Sequence, residues 1–282
     1  MAGCHGGPSE DSGGSVDLGP PTRSFEFASG SGVTPISSGT GSVTFGPVAG
    51  TDDGSAATLL FPGDASKGPS DRVGPGFASE IDSATADYHY GTYRARLKLA
   101  ACTSGEEMVN GYFTYFNDGA DHNANGIIDN SEIDIEIQCG RPYAIFLTSW
   151  TDYSSETSFR KWTRVVDTST GDIWESISDH EYDIHKIGND PAFLIPGFPD
   201  PNTFYEMGFD WQPDHIRWFL VNNGREITLF NFTNAQLIPS LPASLIFNLW
   251  HADSHWFAGG SAADYPAADG KLVVDWAKYW SR

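Results

Sequence analysis

The chain has 282 residues, enough for one large β domain or two smaller ones. Its 37 Asp and Glu against 16 Lys and Arg give a formal net charge of -21, which disfavours nucleic acid or an anionic membrane as partner and suits a neutral polymer. With 31 Gly, 17 Pro, 9 Trp, 11 Tyr and 18 Phe and few stretches of helical periodicity, the composition favours an all-β sandwich or barrel, and no apolar run reaches the roughly 18 residues of a membrane span.

Residues 1–7 lack the apolar centre of a secretory signal. Ala2-Gly-Cys4 resembles the end of a bacterial lipoprotein processing site, with Cys4 as the residue that would carry a lipid anchor. Residues 1–21, rich in Gly, Ser, Pro and acids, read as a flexible tether, and 22–282 as a single β-sandwich domain expected to act as a monomer. Short strands are expected at Arg23–Ala28, Gly41–Phe45 and Ala57–Phe61. Alternation then marks Gly91–Leu99, Val109–Phe116, an acidic strand at Glu132–Glu136 and Ala144–Trp150, four consecutive strands that read as one antiparallel sheet. Residues 151–202 form a long, less regular stretch, and loops of that length are usually functional or mobile. Strands resume at Phe204–Trp211, Ile216–Val221, Glu226–Phe230, Leu245–Trp250 and Lys271–Trp280. Cys102 and Cys139 lie after candidate strands and read either as a disulfide in an oxidising compartment or as two buried thiols.

Glu132-Ile-Asp134-Ile-Glu136 carries the chemistry. Successive side chains of a strand point to opposite faces, so the three acids share one face while Ile133, Ile135 and Ile137 take the core. Adjacent carboxylates push at least one pKa upward. A protonated acid beside an ionised carboxylate is what glycoside hydrolysis uses. The plainer reading is a solvated polar face on an edge strand.

Several segments together resemble glycoside hydrolase family 16, and within it the lichenase branch, the bacterial endo-β-1,3-1,4-glucanases. They are Tyr90-Gly-Thr-Tyr-Arg-Ala-Arg-Leu-Lys98, Tyr112-Phe-Thr-Tyr115, the acidic strand, Gly208-Phe-Asp-Trp-Gln-Pro-Asp-His-Ile-Arg-Trp218, Asn248-Leu-Trp250 and Val274-Asp-Trp276. The resemblance implies a β-jelly roll of two antiparallel sheets with a concave substrate cleft. It makes Glu132 the nucleophile, Glu136 the general acid/base and Asp134 the carboxylate between them, with Asp134's negative charge helping to keep Glu136 protonated. It implies retention through a glycosyl-enzyme, with polysaccharide as partner and no cofactor for catalysis. Phe113, Tyr115, Asn248 and Trp250 match sugar-binding positions, and Asp275 matches a structural calcium aspartate on the convex face. Two departures weaken the linkage assignment: Asn130 stands where lichenases carry tryptophan, and Leu147-Thr-Ser-Trp150 replaces their Asn-Tyr-Tyr cluster.

A second motif competes for Glu132. Asp121-His-Asn-Ala-Asn-Gly-Ile-Ile-Asp-Asn-Ser-Glu132 fits a twelve-residue calcium loop, with Asp121, Asn123, Asn125, the Ile127 carbonyl and Asp129 as ligands and Glu132 in the twelfth position. One carboxylate serves poorly as both metal ligand and free nucleophile, so Glu132 is assigned to catalysis and structural calcium to the first five ligands. The readings carried forward are a retaining endo-β-glucanase, a transglycosylase of the same family, and a calcium-dependent carbohydrate-binding module without catalysis. His251, His255 and Trp256 are expected to border the cleft. His251 and His255 resemble half a metal site without its glutamate or helix, so zinc is not expected, and Asn231-Phe-Thr is a glycosylation sequon.

Overall fold

The computed structural model describes residues 18–38, 40–67, 76–102, 106, 108–252 and 264–282. Cys4, His255 and Trp256 and most of the expected tether lie outside the described residues. The first strands are Arg23–Phe25 (β1), Val33–Ser37 (β2), Ser42–Pro47 (β3), Ser55–Phe61 (β4), Gly76–Ser83 (β5), Gly91–Lys98 (β6), Met108–Phe116 (β7) and Asp129–Gln138 (β8). They continue as Ala144–Ser155 (β9), Ser158–Asp167 (β10), Asp172–Ser176 (β11), Ile184–Asn189 (β12), Tyr205–Trp211 (β13), Ile216–Asn222 (β14), Arg225–Phe232 (β15), Ser244–His251 (β16) and Gly270–Ser281 (β17). Two antiparallel sheets result. One runs β15-β14-β13-β6-β17-β4-β3 with β1 beside β17, and the other runs β12-β11-β10-β9-β8-β7-β16-β5-β2. This is the expected jelly-roll sandwich. None of the described helices is long and apolar enough to cross a membrane.

Alternation along each strand builds the core between the sheets. In β8, Ile133, Ile135 and Ile137 are almost wholly buried, each stabilising the fold by about 1.5–3 kcal/mol, and their direction turns the intervening acids outward. Trp218 of β14 crosses the core and donates from Nε1 to the main-chain oxygen of Asp134 at 3.0 Å. The sheet opposite the cleft is thereby tied to the acidic strand. Cys102 and Cys139 form a disulfide, which joins the chain just after β6 to the end of β8.

Three sequence expectations change. Strand β6 does not precede β7 in one meander: it lies between β13 and β17 in the other sheet. Alternation marks a half-buried strand but not which sheet it joins, and the chain crosses over after Lys98. Residues 151–202 are more regular than expected, containing the end of β9 and all of β10, β11 and β12. Both faces of β10 carry polar or charged side chains, Lys161 and Thr163 on one and Arg160 and Arg164 on the other, so its period-two signal is hidden. Strands β2 and β5 were absent from the sequence reading for a similar reason, β2 lying at a sheet edge with Pro35 inside it.

Candidate active site

Register across the cleft sheet sets the site. Glu132 lies opposite Tyr115 on β7 and Trp150 on β9, Asp134 opposite Phe113 and Thr148, and Glu136 opposite Gly111 and Phe146. Directly opposed residues share a face, so each acid stands in a row of cleft-facing side chains. The rows continue onto β10, where Lys161 faces Trp150 and Thr163 faces Thr148. The cleft has a volume of about 620 Å³, and all three acids line it together with Tyr115, Trp150, Lys161 and Trp250. Gly111 matters by what it lacks: a Cβ there would meet Asn248 Oδ1 at 2.2 Å. Its absence lets Asn248 lie close beside the row of Glu136.

Each acid has its own surroundings. Asn130 Nδ2 donates to Glu132 Oε2 at 2.6 Å, and Trp250 Nε1 donates to Glu136 Oε1 at 3.2 Å. Burial pushes Glu132 up to about 7, against the opposing effects of hydrogen bonds from Asn130 and Asp134 and the charge of Lys161. Burial pushes Glu136 up to about 8, helped by the charge of Glu132 and opposed by Trp250 and Lys161. Asp134 is held well above the carboxylate range by burial first, then by Glu132 and Glu136. That direction favours a protonated Asp134, which shares a side-chain hydrogen bond with Glu132. This differs from the sequence expectation that a negative Asp134 would hold the proton on Glu136. The cost of a third buried charge in the row favours a neutral Asp134 that acts on Glu132.

Among the sequence-predicted sugar contacts, Tyr115 and Trp250 line the cleft beside the acids. Phe113 occupies the row of Asp134. Asn248 is buried over Gly111, with Nδ2 3.3 Å from Glu80 Oε2. His251 does not border the cleft. Trp250 faces outward, so the next residue on the strand turns into the core, where His251 lies against Phe61 and Tyr265.

Other cleft residues escaped the sequence reading. Trp150, Tyr153 and Tyr182 form an aromatic end wall, with Trp150 and Tyr182 ring centres 6.2 Å apart. Glu156 accepts from the Tyr153 and Tyr182 hydroxyls at 2.8 and 2.7 Å. Lys161 Nζ sits over the rings of Trp150 and Tyr182, 4.8 and 4.2 Å from their centres. Only Trp150 had a usable signal, from the alternation of Leu147-Thr-Ser-Trp150 next to the acidic strand.

The loop before Glu132 is held by its own side chains. Asp121 accepts from the Asn125 and Gly126 amides, Asn123 Oδ1 from the Asn125 amide, and Asn125 Oδ1 from the Ile127 amide. Gly126 has φ +92°, where glycine is favoured. Asp129 accepts from Asn123 Nδ2 at 2.5 Å, and Asn125 Nδ2 donates to Asp152 at 2.6 Å. The loop asparagines thus reach Asp129 and Asp152, whereas Glu132 bonds Asn130 inside the cleft. On the other sheet Asp275 is wholly buried and pairs with Arg96, which also donates to the Gly50 carbonyl at 3.2 Å. The Asp52 amide adds a bond to Asp275 at 3.1 Å. A guanidinium already fills the oxygen-lined position, so these residues do not fit calcium there. No cluster of three or more His, Cys, Asp or Glu arranged around a metal position occurs among the described residues.

The fold is an antiparallel jelly roll, and its tryptophan-lined cleft is floored by three carboxylates. The chain is 24% identical over 199 residues to a β-glucanase of Paenibacillus polymyxa, covering 70% of this chain and 62% of that one. It is 23% identical over 194 residues to a β-glucanase of Bacillus subtilis (strain 168), covering 68% and 59%. The chain thus spans less than two thirds of the length of either relative. In fold it is similar to a glycoside hydrolase family 16 endo-glucanase from Bacteroides ovatus, with a TM-score of 0.57 at 12% identity, over 91% of this chain and 99% of that one. No protein-family model matches the chain. In sequence the chain is thus similar to bacterial β-glucanases, and in fold to a jelly-roll endo-glucanase.

Proposed function

We propose that this protein is a retaining endo-glycoside hydrolase of a neutral β-glucan, with mixed-linkage β-1,3-1,4-glucan as the leading substrate. The observation that carries the reading is the unequal treatment of two glutamates on one cleft face. Glu132 receives hydrogen bonds from Asn130 and from neutral Asp134, both of which favour its ionised form. Glu136 is pushed higher by burial and by Glu132, which favours its acid form. Glu132 then attacks the anomeric carbon while Glu136 protonates the departing glycosidic oxygen. Water, deprotonated by Glu136, subsequently releases the sugar with retained configuration. Trp250 and Tyr115 offer ring faces to pyranose units.

Glu132 faces the cleft and not the 121–129 loop, which favours the hydrolase over a calcium-dependent binding module. Calcium in that loop is a separate, structural reading with Asp121, Asn123, Asn125, the Ile127 carbonyl and Asp129 as ligands. It is supported by an all-oxygen donor set and tested by a calcium-dependent rise in melting temperature. The Cys102–Cys139 disulfide supports an extracytoplasmic location. The test of function is hydrolysis of β-1,3-1,4-glucan, laminarin, xyloglucan and agarose, with product anomers followed by NMR. Release of β-anomers first from a glucan supports the proposal, and release of α-anomers first or no turnover of any of the four refutes it. Labelled acceptor oligosaccharides in the same assay separate hydrolysis from transglycosylation.

A further inference from the structure

A lysine inside an acid-lined cleft needs an explanation. Lys161 is only 8% exposed, and among the described residues its Nζ forms no ion pair within 4 Å; it rests over Trp150 and Tyr182. Burying an ammonium costs several kcal/mol unless something compensates. Packing alone would be served as well by methionine, an apolar side chain of similar length. The groups facing it explain the charge. From β8 come Glu132, Asp134 and Glu136, from the β9–β10 turn Glu156, and from β7, β9 and the segment before β12 the phenols of Tyr115, Tyr153 and Tyr182. Lys161 is the one cation among the cleft-lining residues described.

Its place in the sheet is equally specific. Tyr115, Glu132, Trp150 and Lys161 occupy one row across β7, β8, β9 and β10, so the lysine and Glu132 are two strand spacings apart, about 10 Å between Cα atoms. Trp150 stands between them and holds the ammonium by cation–π attraction. A direct ion pair would tie up the carboxylate oxygen needed for attack. An ammonium on a ring face gives its field without occupying that oxygen.

We propose that Lys161 is a positioning residue that supplies the cation allowing this buried row of acids to carry negative charge on Glu132. The proposal rests on the hydrolase reading for its purpose, but its electrostatic content belongs to the free protein. The interaction is mutual: Lys161 lowers all three acids, and those acids raise Lys161 against the burial that brings it down to about 8.

The test uses the full chain with Lys161→Met, Lys161→Gln and Lys161→Arg, folding being checked by near-ultraviolet circular dichroism. The carboxyl 13C resonance of Glu132 is titrated without substrate, and kcat/KM on β-1,3-1,4-glucan is measured against pH. Removing the charge is expected to move the Glu132 midpoint and the acid limb of activity upward by about one pH unit, a roughly tenfold loss on the acid side that recovers as pH rises. Lys161→Arg is expected to keep both near wild type. A midpoint unmoved in either folded neutral variant overturns the proposal. Wild-type protein that turns over no glucan overturns the hydrolase reading instead, while a shifted Glu132 midpoint still supports the lysine's role.

Discussion

Replacing Asp134 by asparagine and, separately, by alanine distinguishes a neutral hydrogen-bond donor from a charged partner. In the wild type Asp134 keeps its proton under burial and the charges of Glu132 and Glu136, and donates to Glu132. Asparagine retains an N–H donor of nearly the same shape and adds no charge. Alanine removes a hydrogen bond to a charged group, worth about 1.5–3 kcal/mol. At about 1.4 kcal/mol per factor of ten, Asp134→Ala is expected to lower kcat/KM at neutral pH by about 10- to 100-fold. Its acid limb should move upward, because Glu132 loses a bond favouring its ionised form. Asp134→Asn is expected to stay within about tenfold of wild type. Initial-rate measurements on β-1,3-1,4-glucan between pH 5 and about pH 10 give both quantities. Equal damage from asparagine and alanine, or an alanine variant with an unmoved acid limb, would refute the neutral-donor reasoning.

The pH dependence of kcat/KM for the wild type should be a narrow bell. It rises as the row ionises near the about 7 of Glu132 and falls as the acid is lost near the about 8 of Glu136; a flat profile from pH 5 to about pH 9 would contradict it. Glu136→Gln should raise the melting temperature at alkaline pH and change it little near pH 5. A carboxyl raised in the folded state contributes stability below its unfolded pKa and loses it as pH rises through the folded value, so scanning calorimetry at several pH values reads the sign directly. Arg96→Met should destabilise by about 3–5 kcal/mol, because it leaves the buried Asp275 carboxylate without its cation. Urea unfolding measures this loss, and full restoration by millimolar calcium would show that the site prefers a metal after all.

The part of this molecule written locally was the part legible in its sequence. Glu132 to Ile137 gives strand, face and core side from alternation alone, because isoleucine and acid leave no second arrangement that buries the apolar side chains. Turn-rich composition and short alternating segments pointed to an all-β sandwich or barrel, and the resemblance to glycoside hydrolase family 16 narrowed this to a jelly roll. What stayed hidden depends on which strands become neighbours. Lys161 and Trp150 are eleven positions apart and meet only through the β9–β10 register, while Tyr182 reaches the cleft from a segment with no strand pattern of its own. The charge state of Asp134 depends on burial summed over three strands, which the spacing of three acids does not show. Asp275 was singled out as a calcium aspartate, whereas its partner in the fold is the Arg96 guanidinium, 179 positions away.

The most direct test of the proposed chemistry is to trap its intermediate. The protein is incubated with an activated 2-deoxy-2-fluoro β-glucan oligosaccharide, digested, and the peptides are read by mass spectrometry. The expected result is one sugar adduct on the Glu132 side chain, absent from Glu132→Gln and longer-lived in Glu136→Gln, which lacks the base that activates water for its hydrolysis. Labelling of a different residue, or an unlabelled Glu132 in protein that still hydrolyses glucan, would contradict it.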